Sequence, residues 1–197
     1  MSAVGDPVWA LATRFPVQGD WSELDLLALP DSVRHVELSG RRLEVLPMPT
    51  DRHQSILGAL YLLLAERARA TGGWARPAGL RVRLTEGRIR EPDVVFLRKA
   101  SAAKKGEAFW TGADLVVEIV SGGADDKVRD LVTKRAEYAE ADIAEYWIVD
   151  PAEETFTVLT LTNDAYREAG VFRRGERARS VLLEGLEVDV TAVLDAD

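Results

Sequence analysis

Residues 115–138, LVVEIVSGGADDKVRDLVTKRAEY, carry the pattern that decides the expected fold. The first six residues are apolar except for Glu118, as in a strand buried at the centre of a sheet. Two glycines follow, and the residues after them predict a helix over about 125–141. Because a buried strand must be covered by other elements, this stretch favours a domain in which helices pack on a central sheet.

Similar signals extend in both directions along the chain. Apolar residues at helical spacing predict a helix over about 51–70, ended by Gly72 and Gly73. Alternating residues around Ser39 and Gly40 predict a β-hairpin. The remaining expectations are a short helix at 21–25 capped by Ser22 or Asp20, a loop at 98–112, and strands at 80–84, 92–97, 144–151, 154–162 and 165–173. This order predicts a single α/β (α+β) domain over residues 1–197, a mixed β-sheet flanked by helices with an N-terminal helix and β-hairpin extension.

The composition limits the chemistry open to the chain. Its 197 residues are 47% hydrophobic, which is enough for one domain with a packed core. There is no cysteine and there are two histidines, His35 and His53, so a zinc site of His and Cys ligands is nearly excluded. Oxygen ligands would favour Mg²⁺, Mn²⁺ or Ca²⁺. The N-terminus is not a signal peptide and the longest apolar run, residues 56–65, is too short to span a bilayer, so a soluble cytoplasmic protein with no membrane association is expected.

Charge is distributed unevenly along the chain. Residues 66–105 hold eleven basic and four acidic residues, a net charge of +7, which leaves −15 on the rest of a chain whose total is −8. A basic strip on an acidic body fits contact with a polyanion such as nucleic acid. The alternative, given equal weight, is a solvated hairpin with arginines on its outer face.

Two carboxylates interrupt apolar strands. Glu118 shares its face of the strand with valines, and Asp93 opens the apolar run VVFL directly after a proline. On neighbouring strands, two such charges 4 Å apart would repel each other by about 1 kcal/mol in water and about 4 kcal/mol at an effective dielectric constant of 20. A divalent ion between them would turn this repulsion into binding energy. The alternative is that each carboxylate pairs with an arginine of the basic section.

The predicted helix adds a cation. Asp126, Asp130, Lys134 and Tyr138 follow one another at intervals of four and therefore lie in one stripe of an α-helix. Lys134 could reach the two carboxylates and there hold an attacking water or offset the charge of a phosphate. The alternative is an ordinary Asp130–Lys134 pair, which contributes roughly a few tenths of a kcal/mol.

Taken in order, these residues carry a resemblance to a known family. Pro92-Asp93, Glu118 in VVEIVS, the spaced Asp130, Lys134 and Tyr138, and EYWIVDP together resemble the PD-(D/E)xK nuclease superfamily. They resemble more closely its Uma-type family of restriction endonucleases, whose N-terminal segment is similar to HVELSGRRLEVLPMPTDRHQSILGAL. The resemblance covers about residues 20–190 and leaves residues 1–19 as an N-terminal extension.

The resemblance implies both a fold and an activity. The fold would be a restriction-endonuclease-like mixed sheet, and the activity would be hydrolysis of phosphodiesters in nucleic acid, DNA in the first place, with Mg²⁺ or Mn²⁺ as cofactor. Asp93 and Glu118 would be metal ligands, with the Ile119 carbonyl as a third, and Lys134 would be the catalytic lysine. Glu37 and His53 would lie near the site, as an extra ligand or as contacts to phosphate or base.

One position departs from the superfamily pattern. The usual lysine, two residues after the acidic residue of the strand, is here Val120, so Lys134 of the helix would replace it, with Lys127 as a second candidate. This departure keeps a second hypothesis open: a catalytically inactive nuclease-fold module that binds nucleic acid or a protein partner, in which Lys134 is bonded only to Asp130. The hairpin at 154–173 is a candidate dimer interface, so a homodimer is also predicted.

Overall fold

A six-stranded mixed sheet forms the centre of the computed structural model, which describes residues 16–30, 35–120 and 128–197. Its strands are β3 (Trp74–Pro77), β6 (Val94–Leu97), β7 (Leu115–Ile119), β8 (Glu145–Asp150), β9 (Thr155–Thr162) and β10 (Ala165–Arg173). Their order is β10-β9-β8-β7-β6-β3. Strands β7 and β8 run parallel, and the other neighbours run antiparallel.

Two smaller sheets and several helices surround this centre. One sheet consists of β1 (Val36–Ser39), β2 (Arg42–Val45), β4 (Val82–Thr85) and β5 (Arg88–Arg90), and the other of β11 (Arg177–Arg179) and β12 (Glu187–Asp189). The four-stranded sheet has the order β2-β1-β5-β4. The helices are α1 (Glu23–Leu27), α2 (Asp51–Thr71), α3 (Lys134–Glu140) and α4 (Val190–Leu194), with a 3₁₀ helix at Lys99–Lys104 and a π-helical turn at Arg129–Thr133.

Strand β7 lies between two layers of core, as its sequence predicts. All five of its residues are buried. Its apolar residues at odd positions belong to a cluster with the buried face of α2, whereas Val116 packs in a second cluster with Tyr138 of α3. Helix α2 therefore covers one face of the sheet and α3 covers the other. Because side chains alternate along a strand, Glu118 shares the α3 side with Val116.

The ends of the first two helices follow from local sequence. The Thr50 side chain accepts a hydrogen bond from the His53 N–H and caps α2, and Gly72 ends this helix in the left-handed region at φ 73°. The predicted helix over 51–70 is thus confirmed to within a residue. Ser22 caps α1 in a reciprocal capping box with Asp25, as one of the two predicted caps.

The two predicted strands at 80–84 and 92–97 are neighbours in sequence but do not pair with each other. Strand β4 pairs instead with β5 in the four-stranded sheet, and β6 continues into the central sheet. Pro92 lies between β5 and β6 and has no N–H to donate, so a ladder cannot run through it. The chain therefore passes from one sheet to the other at this proline.

Other differences lie at segments with weak apolar patterns. The predicted loop at 98–112 contains the 3₁₀ helix, and the edge strand β3, which ends in Pro77, was not predicted. The C-terminal elements β11, β12 and α4 were also not predicted. The hairpin of β9 and β10 has the expected bounds to within a residue. In the described parts of the chain, every helix is too short or too polar to cross a bilayer.

Candidate active site

The acidic residues predicted from the sequence meet at one edge of the central sheet. Asp93 stands directly before β6, and Glu118 and Ile119 end β7. Since these strands are antiparallel with Val94 opposite Val117, Asp93 and Glu118 occupy the next positions of the two strands. The N–H of Ile119 donates to Oδ2 of Asp93 at 2.7 Å, which fixes this carboxylate against the end of β7.

These residues line a single small pocket of about 60 Å³. The predicted site residues in its wall are Asp93, Glu118, Ile119, His53 and Lys134. The rest of the wall comes from the segment after β2, the first turn of α2, the π-helical turn and the residues that adjoin β1, β3 and β5. These lining residues are His35, Leu46, Pro47, Pro49, Gln54, Ala78, Glu91 and Arg129. Chain segments far apart in sequence therefore converge on the acidic pair.

Glu118 is held by two side chains of the helix that covers it. Glu118 is 4% exposed. Its Oε2 lies 2.9 Å from Nζ of Lys134, and Oε1 accepts a short hydrogen bond from the Tyr138 hydroxyl. Lys134 and Tyr138 are four residues apart within α3 and so project from one side of it. A charged partner and a hydroxyl donor account for a carboxylate in a buried strand.

Two alternatives from the sequence are therefore incomplete: the pairing of Glu118 with an arginine, and an ordinary pair of Lys134 with Asp130. Glu118 pairs with a lysine of the helix rather than with an arginine of the basic section. Lys134 is 2% exposed and contacts Glu118 and, at 3.7 Å, Oε1 of Glu37, so it is not bonded only to Asp130. The structure thus places the helix lysine against Glu118, one member of the acidic pair.

Tyr138 acts on Glu118 as a hydrogen-bond donor. Burial, followed by the negative charges of Glu118 and Glu37, raises the pKa of Tyr138 well above its usual value. The hydroxyl therefore keeps its proton at neutral pH and continues to donate to the carboxylate. This bond helps to orient the Glu118 side chain at the end of β7 that lines the pocket.

His53 reaches the same edge from α2. Its Nε2 lies 3.2 Å from Oδ2 of Asp93, the oxygen that also accepts from the Ile119 N–H. The position of His53 in the first turn of α2 is fixed by the Thr50 cap. The structure thus places His53 beside Asp93.

Glu37 lies behind the pocket rather than in its wall. It is fully buried on β1 and accepts from Arg90 Nη1 at 2.8 Å and from the Glu91 N–H at 2.8 Å. Burial acts to raise the pKa of Glu37, but the positive charges of Lys134 and Arg90 outweigh it and hold the pKa below its ordinary value. Glu37 thus contacts the site through Lys134.

Arg90 joins the small sheet to the site helix. This arginine is fully buried on β5 and binds Glu37, Glu44 and, at 2.7 and 2.8 Å, both oxygens of Glu137 on α3. Burial acts to lower the pKa of Arg90, but its carboxylate partners raise the pKa by more than burial lowers it, so the guanidinium stays charged. Sequence analysis missed this network, because its members come from β1, β2, β5 and α3 and share no local spacing.

A π-helical turn precedes α3 and alters the predicted stripe. The N–H of Lys134 donates to the carbonyl of Arg129, five residues earlier, whereas an α-helix joins residues four apart. Arg129 and Lys134 consequently both line the pocket. Spacing rules for an α-helix could not identify Arg129. Residues 121–127, with Asp126 and the second candidate Lys127, and the side chain of Asp130 lie outside the described part of the structure.

The donor set suits a hard divalent cation. Mg²⁺ is commonly bound by one or two carboxylates, with water and substrate phosphates completing its shell. Asp93 and Glu118 at adjoining strand ends provide such a pair, and Ile119 lies beside them. Among the described residues there is no cluster of three or more His, Cys, Asp or Glu side chains placed to hold a metal.

The basic strip does not surround this pocket. Arg88 and Arg90 are bound by carboxylates of α3, and Arg98 pairs with Asp114. The lysines of the 3₁₀ helix follow the far end of β6, about 17 Å from Asp93 at 3.4 Å per residue. These members of the strip therefore lie in internal ion pairs or at the opposite end of the sheet.

Comparisons with known proteins agree with this architecture. The fold is similar to the solved structure of a "putative nuclease" from Anabaena variabilis, with a TM-score of 0.72 and 16% identity over 91% of this chain and 98% of that chain. At this identity the likeness shows the fold, and it confirms the predicted mixed sheet flanked by helices. No curated protein sequence matches the chain significantly. A family model described as "Putative restriction endonuclease" matches residues 21–191, nearly the whole chain, and the chain therefore belongs to this family, Uma2.

Proposed function

We propose that the chain is an endonuclease that hydrolyses phosphodiester bonds of nucleic acid with the help of Mg²⁺ or Mn²⁺, and that DNA is its substrate. The observation that carries the proposal is the meeting of Asp93, Glu118 and Lys134 in one pocket. Two carboxylates and a lysine at the edge of a sheet supply what metal-assisted phosphodiester hydrolysis requires. The family and the fold support the same activity.

Each residue of the pocket has a distinct role in this proposal. Asp93 and Glu118, with the Ile119 carbonyl, would hold the ion. When bound, the ion polarises the phosphoryl oxygen and lowers the pKa of an attacking water. Lys134 offsets negative charge beside Glu118, from which it lies 2.9 Å away. His53 orients Asp93 through its 3.2 Å contact.

Plasmid nicking tests the proposal directly. The wild type is compared with Glu118→Ala in the presence of Mn²⁺, Mg²⁺ or EDTA. Glu66→Ala serves as the control, because it removes one negative charge from the exposed face of α2. We expect metal-dependent nicking by the wild type and the control, and its loss in Glu118→Ala. Equal metal-dependent nicking by Glu118→Ala would contradict the proposal.

A second candidate function is an inactive nuclease-fold module that binds nucleic acid or a protein partner. It is favoured by Val120 at the position of the usual lysine and by the engagement of both Glu118 oxygens within the chain. Calorimetric titration with Mn²⁺ separates the candidates. Binding that disappears in Asp93→Ala supports the enzyme, and the absence of binding at millimolar Mn²⁺ supports the inactive module.

The homodimer remains a prediction. Strand β10 forms one edge of the central sheet and pairs with β9 in the hairpin expected from the sequence. Light scattering at micromolar concentration checks the assembly state. A monomer under these conditions would contradict a stable dimer.

A further inference from the structure

The π-helical turn before α3 places two cations in the pocket wall. A π-helical turn contains one residue more than an α-helical turn, so residues five apart come to the same side. Here the five-residue hydrogen bond joins Lys134 to Arg129, and both side chains line the pocket. Arg129 itself is half-buried there. Such turns recur at functional sites, where they re-aim one side chain without ending the helix.

The charge of the pocket calls for a second cation. Among the described residues of its wall, Asp93, Glu118 and Glu91 carry carboxylates, whereas Arg129 and Lys134 are the lysine and arginine side chains. Lys134 is buried between two carboxylates, 2.9 Å from Glu118 and 3.7 Å from Glu37. Its charge is therefore largely balanced within the protein. Without an ion between Asp93 and Glu118, as in EDTA, an incoming phosphate would still meet a negative surface.

Arginine is well suited to correct this imbalance. Its guanidinium group keeps its charge at every physiological pH and can donate two parallel hydrogen bonds to phosphate oxygens. Arg129 lies on the side of the pocket formed by the π-helical turn, and His53 and Asp93 reach the pocket from α2 and β6. A phosphate in the pocket would thus share the space lined by Arg129 and by the acidic pair.

We infer that Arg129 binds a phosphate of the nucleic-acid substrate and that the π-helical turn is the structural device that aims it. This inference rests on the proposed function, and it adds a substrate-binding residue together with the reason for its placement. Lys134 keeps its place beside Glu118, because the α-helical register of α3 begins at that residue.

Binding of a short fluorescein-labelled DNA duplex in EDTA tests the inference without cleavage. Anisotropy is measured from about 50 to 200 mM salt for the wild type, Arg129→Ala and Arg129→Lys. The control is Arg69→Ala, which removes the same charge from an exposed position about 24 Å along α2 from His53 at 1.5 Å per residue.

We expect Arg129→Ala to weaken binding by about tenfold or more, as for a lost charge-assisted hydrogen bond to phosphate. The slope of log K against log salt should fall by about 1, because one phosphate contact is lost. Arg129→Lys should fall between the wild type and Arg129→Ala, since it keeps the charge without the paired geometry. Arg69→Ala should stay within about twofold of the wild type, because a screened charge at that distance contributes little.

The outcomes separate this inference from the proposed function. If Arg129→Ala matches Arg69→Ala in affinity and salt slope, or if the wild type does not bind the duplex at low salt, the inference is overturned. If the wild type shows no metal-dependent nicking but Arg129→Ala still loses affinity, Arg129 remains a phosphate-binding residue and the proposed activity is lost. If the wild type nicks DNA and Arg129→Ala binds DNA normally, the proposed activity stands and the inference about Arg129 is overturned.

Discussion

The two ends of the parallel pair β7 and β8 both hold a buried glutamate, but they hold it differently. At the start of β8, Glu145 accepts hydrogen bonds from Trp147 Nε1 and Ser180 Oγ at 2.6 Å. It also accepts from the backbone N–H groups of Val181 and Leu182 at 2.7 Å. Backbone donors cannot move away without local unfolding, so this glutamate fastens the C-terminal segment to the sheet.

At the other end of β7, Glu118 is held by side chains, which can rotate, although Asp93 beside it also accepts from the Ile119 N–H. Glu118 is bound by Lys134 and Tyr138, and the side chain of His53 contacts Asp93. A side-chain partner can give up an oxygen to an ion or a phosphate while the strand stays in place. The comparison teaches that burial alone does not mark a functional acid. What distinguishes the two ends is the kind of donor and the presence of a pocket.

The largest expected effect comes from exchanging the two glutamates separately for glutamine. Glu145→Gln turns an amide NH₂ toward at least two buried donors and should cost about 3 kcal/mol of stability, while nicking by the folded protein stays within a few-fold. Glu118→Gln should cost less stability, about 1–2 kcal/mol, and should reduce nicking by at least about 100-fold. Urea unfolding and plasmid nicking check both variants. If the two variants lost equal stability, or equal activity, the proposed difference between Glu145 and Glu118 would be contradicted.

Substitution of Arg90 tests whether its ion pairs with Glu37 and Glu137 stabilise the folded protein at the pocket end of β7. Arg90→Met removes the arginine that binds both Glu37 and Glu137. Their remaining cations lie farther away, Lys134 at 3.7 Å from Glu37 and Arg88 at 3.4 Å from Glu137. We therefore expect a loss of about 3 kcal/mol in the free energy of unfolding. Chemical denaturation measures it. The triple variant Arg90→Met, Glu37→Gln, Glu137→Gln also removes the two buried negative charges, so it should recover part of this loss of stability. A triple variant less stable than Arg90→Met would show that the carboxylates do not depend on Arg90.

The low pKa of Glu37 predicts a pH dependence with a definite sign. Because the folded-state pKa lies below the ordinary value of 4.5, the unfolded chain binds more protons and stability rises with pH. This contribution is present above about pH 4.5 and is lost as the pH falls through the folded-state pKa. Glu37→Gln should therefore show a smaller loss of stability between pH 5 and pH 3 than the wild type. Urea unfolding across this range checks the slope, and identical slopes would contradict it.

The smallest expected effect is that of Tyr138→Phe. The change removes one donor from Glu118 while Lys134 remains, so we expect a loss of about 1 kcal/mol in stability. Nicking should fall by less than in Glu118→Gln, because the carboxylate itself is retained. Thermal unfolding and the nicking assay measure both quantities. A loss of activity as large as that of Glu118→Gln would mean that Tyr138 does more than orient Glu118.

Much of the framework could be predicted, because it depends on local patterns. The apolar run of β7 and the glycine stop of α2 each involve neighbours in sequence, and the resemblance implied that Asp93 and Glu118 belong to one site. The Arg90 network could not be predicted, since its partners meet only after two sheets and α3 have packed. Arg129 was missed for another reason: the extra residue of the π-helical turn breaks the spacing of four on which the stripe was based.

The helix that carries Lys134 also sets the order in which the pocket can assemble. It belongs to the crossover that joins β7 to β8, and parallel strands can pair only after such a crossover has been made. During synthesis the N-terminal part of the chain emerges first, so Asp93 and Glu118 leave the ribosome before the lysine and well before β8 and β9. A nascent chain therefore contains the acids of the site long before it holds them in a working arrangement. If the proposed activity is correct, the topology delays cleavage of nucleic acid near the ribosome until the domain is complete.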